Sequence, residues 1–332
     1  MKKLIICLLL LAISACYSYA ASDLCYVGSN GHLYLRSGAI TAELQELENK
    51  LKMIGLLGGP NPNKQITPND MTGGNGRMPL WLDKNKIIFV YDLNPDSSQP
   101  KTKIGILNLQ TDKLDWIPSL GGSISIGFDK ASNTVDYMKI LKKNLDSDAF
   151  DVYLGQYSIS TGKAKSTLAY KGWGYIYPKL MYRWPEPGLR LVPVGTSDVS
   201  DQYGVYSTSK KKFVPVKWLN DDWKNANLHS YAVMAMAPGP NNLIAMSVFA
   251  TEPTEEGQMI SNLYLVNKST DAVTKIRSTS AMLRSPAFSP DGSMIAWSEE
   301  NLTENTKTVW ISPISSPKPQ NIAKGWDPAW RP

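Results

Sequence analysis

Hydrophobic and polar residues alternate in short runs along most of this chain, and turn-forming residues separate the runs. The clearest case is residues 285–297, where two apolar runs flank Ser289-Pro290-Asp291-Gly292. Proline presets φ at the second position of a turn, and glycine accepts the positive φ that a tight turn needs. The pattern therefore predicts two antiparallel strands joined by a tight turn.

Hairpins of this kind recur down the chain, and each is followed by one or two further strand-like runs. They lie at residues 79–89, 124–138, 178–194, 231–248 and 285–297. Trp81 and Phe288 occupy matching positions four units apart, which gives about 52 residues for each unit. Repeats of roughly 40 to 50 residues with four short strands are typical of β-propeller blades. Five such units are predicted.

The two ends of the chain supply the remaining strands. Residues 327–332 read as the first strand of another unit with nothing after it, while residues 24–28 and 32–35 form a hairpin that lacks a first strand. Pairing the two ends would close a ring and remove its exposed sheet edges. The sequence predicts an all-β, six-bladed propeller of four-stranded antiparallel blades, closed by its N- and C-terminal strands.

One segment, residues 41–76, does not follow the strand pattern. Leu44, Leu47, Leu51 and Ile54 recur every three or four positions, which predicts one short amphipathic helix at residues 41–54. The Gly, Pro and Asn that dominate residues 55–76 predict an irregular loop. We interpret the insertion as a plug over one end of the ring, with a lid or a partner-binding element as the alternative.

The N-terminus has the order of a secretory signal peptide. Lys2 and Lys3 precede an apolar run at residues 4–13, which is too short to span a membrane. Cleavage after Ala20 would release a soluble chain, whereas a lipobox-like stretch at residues 13–16 would place a lipid anchor on Cys16. The sequence thus predicts a signal peptide at residues 1–20, one domain at residues 21–332, and a periplasmic, secreted or outer-membrane lipoprotein location.

Composition excludes some classes of protein. The chain is 42% hydrophobic and 19% charged, an ordinary globular balance. Its formal charge of +6 falls to about +4 without Lys2 and Lys3, too small an excess to predict nucleic-acid binding. Cys25, with Cys16 if retained, cannot form an internal disulfide framework, so Cys25 is predicted to be a small buried strand residue.

The repeat resembles that of the TolB-like propellers. The resemblance rests on SPAFSPDGSMIAWSEE, on the following Trp310-Ile311-Ser312, and on the terminal DPAWRP. It implies a six-bladed propeller with shared terminal strands and a role in binding other envelope proteins. The separate N-terminal domain of TolB has no counterpart, because only residues 21–76 precede the first full blade. Related repeats occur in peptidases and pectate-fragment lyases, so the repeat indicates architecture more than activity.

Catalytic motifs are scarce. No Gly-x-Ser-x-Gly pentapeptide occurs, and His32 and His229 are the chain's two histidines. The acidic stretch 144–151 lacks the glycine and terminal glutamate of an EF-hand loop. No catalytic residue, metal ligand or cofactor is therefore predicted. The alternative that stays open is a carbohydrate-active or metal-dependent lyase or hydrolase that uses the propeller channel.

We predict a monomer that acts without catalysis by binding another envelope or secreted protein through one face of the ring. Arg and Trp are typical interface anchors, and a carboxylate can fix orientation. The predicted binding residues just precede the first strands of the units: Arg77, Tyr177, His229, Arg284, Trp326 and Asp327. Further aromatic residues at the channel mouth would suit a carbohydrate, and a neutralising partner of a toxic enzyme would use the same binding mode.

Overall fold

The structure is a computed structural model of the chain. It describes residues 23–37, 63–71, 73–94, 101–142, 150–173, 182–183, 189–193, 203–207, 210, 212–214, 231–251, 259–270 and 272–332. The helix predicted at residues 41–54, the signal peptide and Cys16 lie outside these residues. Within them, no helix is long and apolar enough to cross a membrane.

The described residues are almost entirely β-structure, with one short 3-10 helix at Pro118–Leu120. The strands, in chain order, are β1 (Leu24–Gly28), β2 (Leu33–Arg36), β3 (Asn63–Gln65), β4 (Asn75–Trp81), β5 (Lys86–Asp92), β6 (Thr102–Asn108), β7 (Lys113–Trp116), β8 (Ser123–Asp129), β9 (Thr134–Lys142), β10 (Phe150–Ser158), β11 (Ala164–Trp173), β12 (Tyr182–Arg183), β13 (Leu189–Pro193), β14 (Tyr203–Ser207), β15 (Lys212–Val214), β16 (Tyr231–Pro238), β17 (Leu243–Thr251), β18 (Met259–Asn267), β19 (Ala272–Thr279), β20 (Met282–Phe288), β21 (Met294–Asn301), β22 (Thr306–Pro313) and β23 (Gln320–Trp330).

The strands pair antiparallel with their neighbours in the sequence. The first four sheets comprise β4 to β7, β8 to β11, β12 to β15 and β16 to β19, four strands each. The described residues form one further sheet of seven strands, in the order β20-β21-β22-β23-β1-β2-β3. The all-β class and the four-stranded antiparallel sheets agree with the sequence prediction.

The long strand β23 joins two groups of strands. Lys324 pairs with Thr308 of β22, whereas Gly325 pairs with Gly28 and Trp330 with Leu24 of β1. Residues 320–324 thus complete a fifth sheet with β20 to β22, and residues 325–330 begin a shared sheet with β1 to β3. The strand changes partners at Gly325, whose φ of 149° and closeness to the carbonyl oxygen of Val27 leave no room for a Cβ.

The turn predicted at residues 289–292 is confirmed, and side-chain hydrogen bonds fix it. Ser289 Oγ donates to Asp291 Oδ1 at 2.6 Å, and the Ser293 N–H donates to the same oxygen at 3.1 Å. Gly292 takes a φ of 71°, as the turn requires. Burial raises the pKa of Asp291, but the hydrogen bonds from Ser289 and Ser293 outweigh it and leave the pKa below its ordinary value.

The innermost strands of successive sheets lie side by side. β4 contacts β8, β8 contacts β12, β12 contacts β16, β16 contacts β20, β20 contacts β23, and β23 contacts β4. All these strands run in the same sense, so the sheets have two different ends. At one end lie the segments that cross from one sheet to the next and the loops that join the second and third strands of each sheet. We call this end the connection face. The turns that join the first to the second strand and the third to the fourth strand lie at the other end, which we call the turn face.

Tryptophans at the repeat positions pack between adjacent sheets. The Trp81 indole N–H of the first sheet donates to the Ala329 carbonyl at 3.0 Å, and that of Trp330 donates to the Ala287 carbonyl at 3.0 Å. Trp297 is fully buried between the fourth and fifth sheets with Leu263. These contacts combine apolar burial with a satisfied polar group at each junction.

Strand β3 differs from the sequence prediction, which treated residues 55–76 as irregular. Asn63–Gln65 pairs with β2 as the outer strand of the shared sheet. Its three polar residues carry no apolar alternation, and side chains of β2 hold it instead. Arg36 donates to Asn63 Oδ1 at 3.4 Å, and the Tyr34 hydroxyl donates to Gln65 Oε1 at 3.2 Å.

Candidate functional site at the connection face

Three inner strands carry the same unusual backbone feature near the middle of the strand. Met78 of β4, Ser285 of β20 and Asp327 of β23 have φ of 51°, 50° and 51°, and each precedes a proline. Positive φ is uncommon for residues other than glycine, and a following proline restricts the backbone further. The strand register shifts at each of these positions, so they are β-bulges, which often mark functional edges of sheets.

Asp327 links the three bulges. Its Oδ1 accepts a hydrogen bond of 2.5 Å from Ser285 Oγ, and its Oδ2 accepts one of 3.0 Å from the Met78 N–H. Its own N–H donates to Ser298 Oγ at 2.9 Å. One carboxylate of the shared sheet therefore holds the inner strands of the fifth and first sheets at a fixed separation.

A group of charged residues surrounds Glu300 beside this junction. Arg284 Nε lies 2.7 Å from Glu300 Oε2, and Lys307 Nζ lies 3.0 Å from Oε1. The Lys307 ammonium also sits 4.9 Å from the ring centre of Trp326, a cation–π distance. Burial raises the pKa of Glu300, but the charges of Arg284 and Lys307 outweigh it, so the pKa lies below its ordinary value.

A second ion pair extends the charged group toward the fourth sheet. Arg277 binds Glu299 through two hydrogen bonds of 2.7 and 3.1 Å, and its guanidinium carbon lies 4.5 Å from the ring centre of Trp310. The Trp297 indole N–H donates to the same carboxylate at 3.2 Å. Such a bidentate pair fixes both side chains more firmly than a single contact would.

The first sheet contributes a third ion pair on the other side of Asp327. Arg77 Nη1 lies 2.9 Å from Asp92 Oδ2, and the Asp92 side chain is almost completely buried. Arg77 therefore neutralises a carboxylate that would be costly to bury alone. Its guanidinium stays partly exposed at the connection face.

The fold is similar to those of several solved structures. TolB from Acinetobacter baumannii matches with a TM-score of 0.60 and 15% identity over 94% of this chain and 67% of that one. A chain of a nidogen/laminin complex matches with a TM-score of 0.57 and 9% identity, covering 94% of this chain and 98% of that one. An oligogalacturonate lyase in complex with manganese matches with a TM-score of 0.51 and 11% identity, covering 92% and 74%. No family profile and no curated protein sequence matches the chain.

The chain folds as a β-propeller. This conclusion rests on the four-stranded antiparallel sheets, the side-by-side inner strands and the likeness to these structures. The sequence identities to them are low, so the likeness concerns the fold alone. The sheets described above are its blades, and the shared sheet joins the beginning and the end of the described chain.

Four of the predicted binding residues lie close together on three adjacent blades. Arg77, Arg284, Trp326 and Asp327 sit inside the bulged inner strands rather than before them, because β4, β20 and β23 begin earlier than their apolar runs. Tyr177 and His229 lie outside the described residues. His32 is on the same face, where its Nδ1 lies 3.0 Å from Thr67 Oγ1. Among the described residues, no three His, Cys, Asp or Glu side chains are grouped so that they could hold a metal ion.

Several residues of this site escaped sequence reasoning. The sequence analysis did not predict Ser285, Glu300 or Lys307 as site residues, because each is a common polar residue in a strand or beside a turn. One signal was present: Ser285-Pro286-Ala287 and Asp327-Pro328-Ala329 are equivalent, so their first residues occupy equivalent bulges. The alternation of apolar residues cannot show which side chains then meet across blades.

Proposed function

We propose that this chain is an exported, six-bladed TolB-like propeller that binds another envelope or secreted protein through its connection face, without catalysis. Five blades lie within the chain and the sixth is the shared sheet, which closes the ring. We further propose residues 1–20 as the signal peptide, and a periplasmic or secreted monomer, with acylation of Cys16 as the alternative that would make it an outer-membrane lipoprotein.

The observation that carries the proposal is the composition of the rim on the fifth and shared blades. Arg284 and Lys307 leave 33% and 38% of their side chains exposed, and Trp326 is half-buried beside them. Leu302, at the tip of the adjacent β21–β22 turn, is 63% exposed. Arginine and tryptophan in one ordered patch are typical of the energetic centre of a protein interface, and the exposed leucine beside them adds apolar contact area.

The patch is also held in place before any partner arrives. Asn301 Oδ1 accepts hydrogen bonds from the backbone N–H groups of Thr303 and Glu304, which fixes the turn that presents Leu302. Glu300 holds the Arg284 and Lys307 side chains in place through its two ion pairs. A surface whose side chains are already ordered loses less conformational entropy on binding, which favours affinity.

Nidogen and laminin form a complex, and a propeller of that complex shares this fold, which supports protein binding as a use of the architecture. The oligogalacturonate lyase in complex with manganese shares the fold too, so an enzyme remains the second candidate. Elemental analysis of the purified protein separates the two. A stoichiometric transition metal would favour the enzyme.

The binding proposal is tested by crosslinking in the native envelope followed by affinity recovery of the tagged chain. Leu302→Asp removes the exposed aliphatic tip without touching a buried contact. Arg284→Ala combined with Trp326→Ala removes the predicted anchors. We expect either variant to lower recovery of the partner at least tenfold, which corresponds to about 1.4 kcal/mol.

Val273→Asp is the matched control, because Val273 is 53% exposed and lies on the outer strand β19 near the turn face. It should leave recovery unchanged. Thermal unfolding of each variant must show an intact fold. Equal recovery by the folded Leu302→Asp variant and the wild type would contradict the proposed face.

A further inference from the structure

The turn face carries an excess of exposed lysines that the proposed binding site does not use. In the part of the chain that the structure describes, seven exposed lysines lie in its turns or at the adjoining strand ends. They are Lys84, Lys86, Lys113, Lys130, Lys163, Lys210 and Lys318. Exposed carboxylates at the same sites are fewer: Asp83, Asp112, Asp115 and Asp291. Two of them pair with lysines of the set, Asp83 with Lys86 at 3.9 Å and Asp115 with Lys113 at 2.9 Å, which leaves five lysines outside these two pairs.

The lysines are spread over one end of the propeller and do not form a single run. They come from the first, second, third and fifth blades, so that together they give one flat end a positive potential. The described connection face has no such excess. Its partly exposed Arg77, Arg284 and Lys307 pair with carboxylates, and Asp70 and Glu304 offset Lys101. The described residues thus carry more positive charge at the turn face than at the connection face.

The N-terminal end of the described chain leaves from this same face. Asp23, just before β1, forms an ion pair of 2.5 Å with Arg331, which follows β23. Arg331 Nε also donates to the Lys84 carbonyl at 2.7 Å, in the β4–β5 turn. Cys16 precedes Asp23 by only seven positions, and Asp23 lies at the turn face with the exposed lysines.

We propose that the turn face docks on a bilayer surface containing anionic phospholipid. Each lysine near such a surface strengthens binding about fivefold, so several acting together give measurable affinity even without an anchor. A single acyl chain alone binds a membrane only marginally and needs a basic patch as its second signal. If Cys16 is the acylated residue of the proposed lipoprotein form, the anchor and the patch act on the same side.

This orientation deepens the proposed function, because it points the connection face and its rim away from the membrane. Inner strands of seven or eight residues hold the two faces roughly 25 Å apart. That separation exceeds the Debye length of about 8 Å at physiological ionic strength, so charges on the connection face contribute little to docking.

Sedimentation with vesicles tests the docking directly. The probe is the mature chain from Ala21, without any acyl group, mixed with vesicles of phosphatidylglycerol and phosphatidylcholine in equal parts. Vesicles of phosphatidylcholine alone serve as the neutral comparison. We expect binding to the anionic vesicles only, and weaker binding as salt is added.

Lys84→Gln, Lys130→Gln and Lys163→Gln in one variant should weaken that binding about 100-fold. The matched control is Lys101→Gln, Lys103→Gln and Lys324→Gln in one variant. These exposed lysines lie four or more residues along the chain from the turns of this face. It should change binding less than about threefold, since these lysines lie beyond the screening distance.

Absence of wild-type binding to the anionic vesicles would overturn the proposal, and so would an equal loss in the control variant. The vesicle assay tests membrane docking alone. The proposed protein binding is tested separately by Leu302→Asp, which lies on the opposite face. That variant should bind vesicles like the wild type.

Discussion

Ser285 and Asp327 lie 42 positions apart in the chain, yet the Ser285 hydroxyl donates a 2.5 Å hydrogen bond to the Asp327 carboxylate. Both residues hold a left-handed backbone and both precede Pro-Ala. The same repeat position therefore provides the donor in one blade and the acceptor in the next. The second carboxylate oxygen reaches the Met78 N–H of the following blade.

Replacing Asp327 should destabilise the propeller to a degree that depends on the substitute. Asp327→Ala removes both acceptors and puts a residue with no local polar group at positive φ, so we expect a loss of about 2 kcal/mol or more. Asp327→Asn keeps one oxygen and tolerates the left-handed backbone, so its cost should be about 1 kcal/mol. Denaturant unfolding measures both. Asp83→Ala, in an exposed turn, is the control, and an equal cost for Asp327→Ala and this control would contradict the bridging role.

Gly325→Ala should weaken the shared blade. A Cβ there would collide with the Val27 carbonyl oxygen and the Tyr26 ring, and the φ of 149° is unsuited to alanine. We expect a loss of about 3 kcal/mol in the free energy of unfolding. Gly122→Ala is the matched control, because Gly122 also has positive φ, at 79°, but nothing lies within 4 Å of its added Cβ. That variant should lose only about 1 kcal/mol. Equal losses would show that backbone strain alone accounts for Gly325.

The stability of the fifth blade should depend on pH through Glu300. Its pKa in the folded protein lies below the ordinary value of 4.5, so it binds protons less readily folded than unfolded. The stability it contributes is present above the ordinary pKa and is lost as the pH falls through the lowered value. Thermal unfolding of the wild type and Glu300→Gln should differ at neutral pH, with the variant less stable, and converge in acid.

Asp291 has a lowered pKa as well, so the Glu300→Gln variant should retain part of the acid-dependent loss. Asp291→Asn provides the companion curve, and the two effects should add because the residues lie at opposite ends of β21. Identical pH profiles for the wild type and Glu300→Gln would argue against the Arg284 and Lys307 charges as the source of the shift.

Local chemistry allowed much of the fold to be predicted. The turn at residues 289–292 follows from Pro, Asp and Gly, and β1 was predicted with the bounds that the structure has. Cys25 was expected to be a buried strand residue and is one. These features depend on neighbours within a few positions, which a sequence displays directly.

The features that escaped prediction depend on distant partners. Strand β3 has no apolar pattern and exists because β2 offers backbone and side-chain partners about thirty positions away. The bond from Met78 to Asp327 spans 249 positions. Arg284 and Trp326 could be named from their positions, but their link through Glu300 and Lys307 appears only when the blade is assembled.

The sharing of β23 between two blades has a consequence for how the protein is made. β1 emerges early in synthesis, but Trp330, which pairs with Leu24, emerges some three hundred residues later. Until then the edge of β1 has no mate and must be shielded from other chains. A chain interrupted by premature termination would expose that edge permanently. The shared blade therefore forms only after β23 has been synthesised.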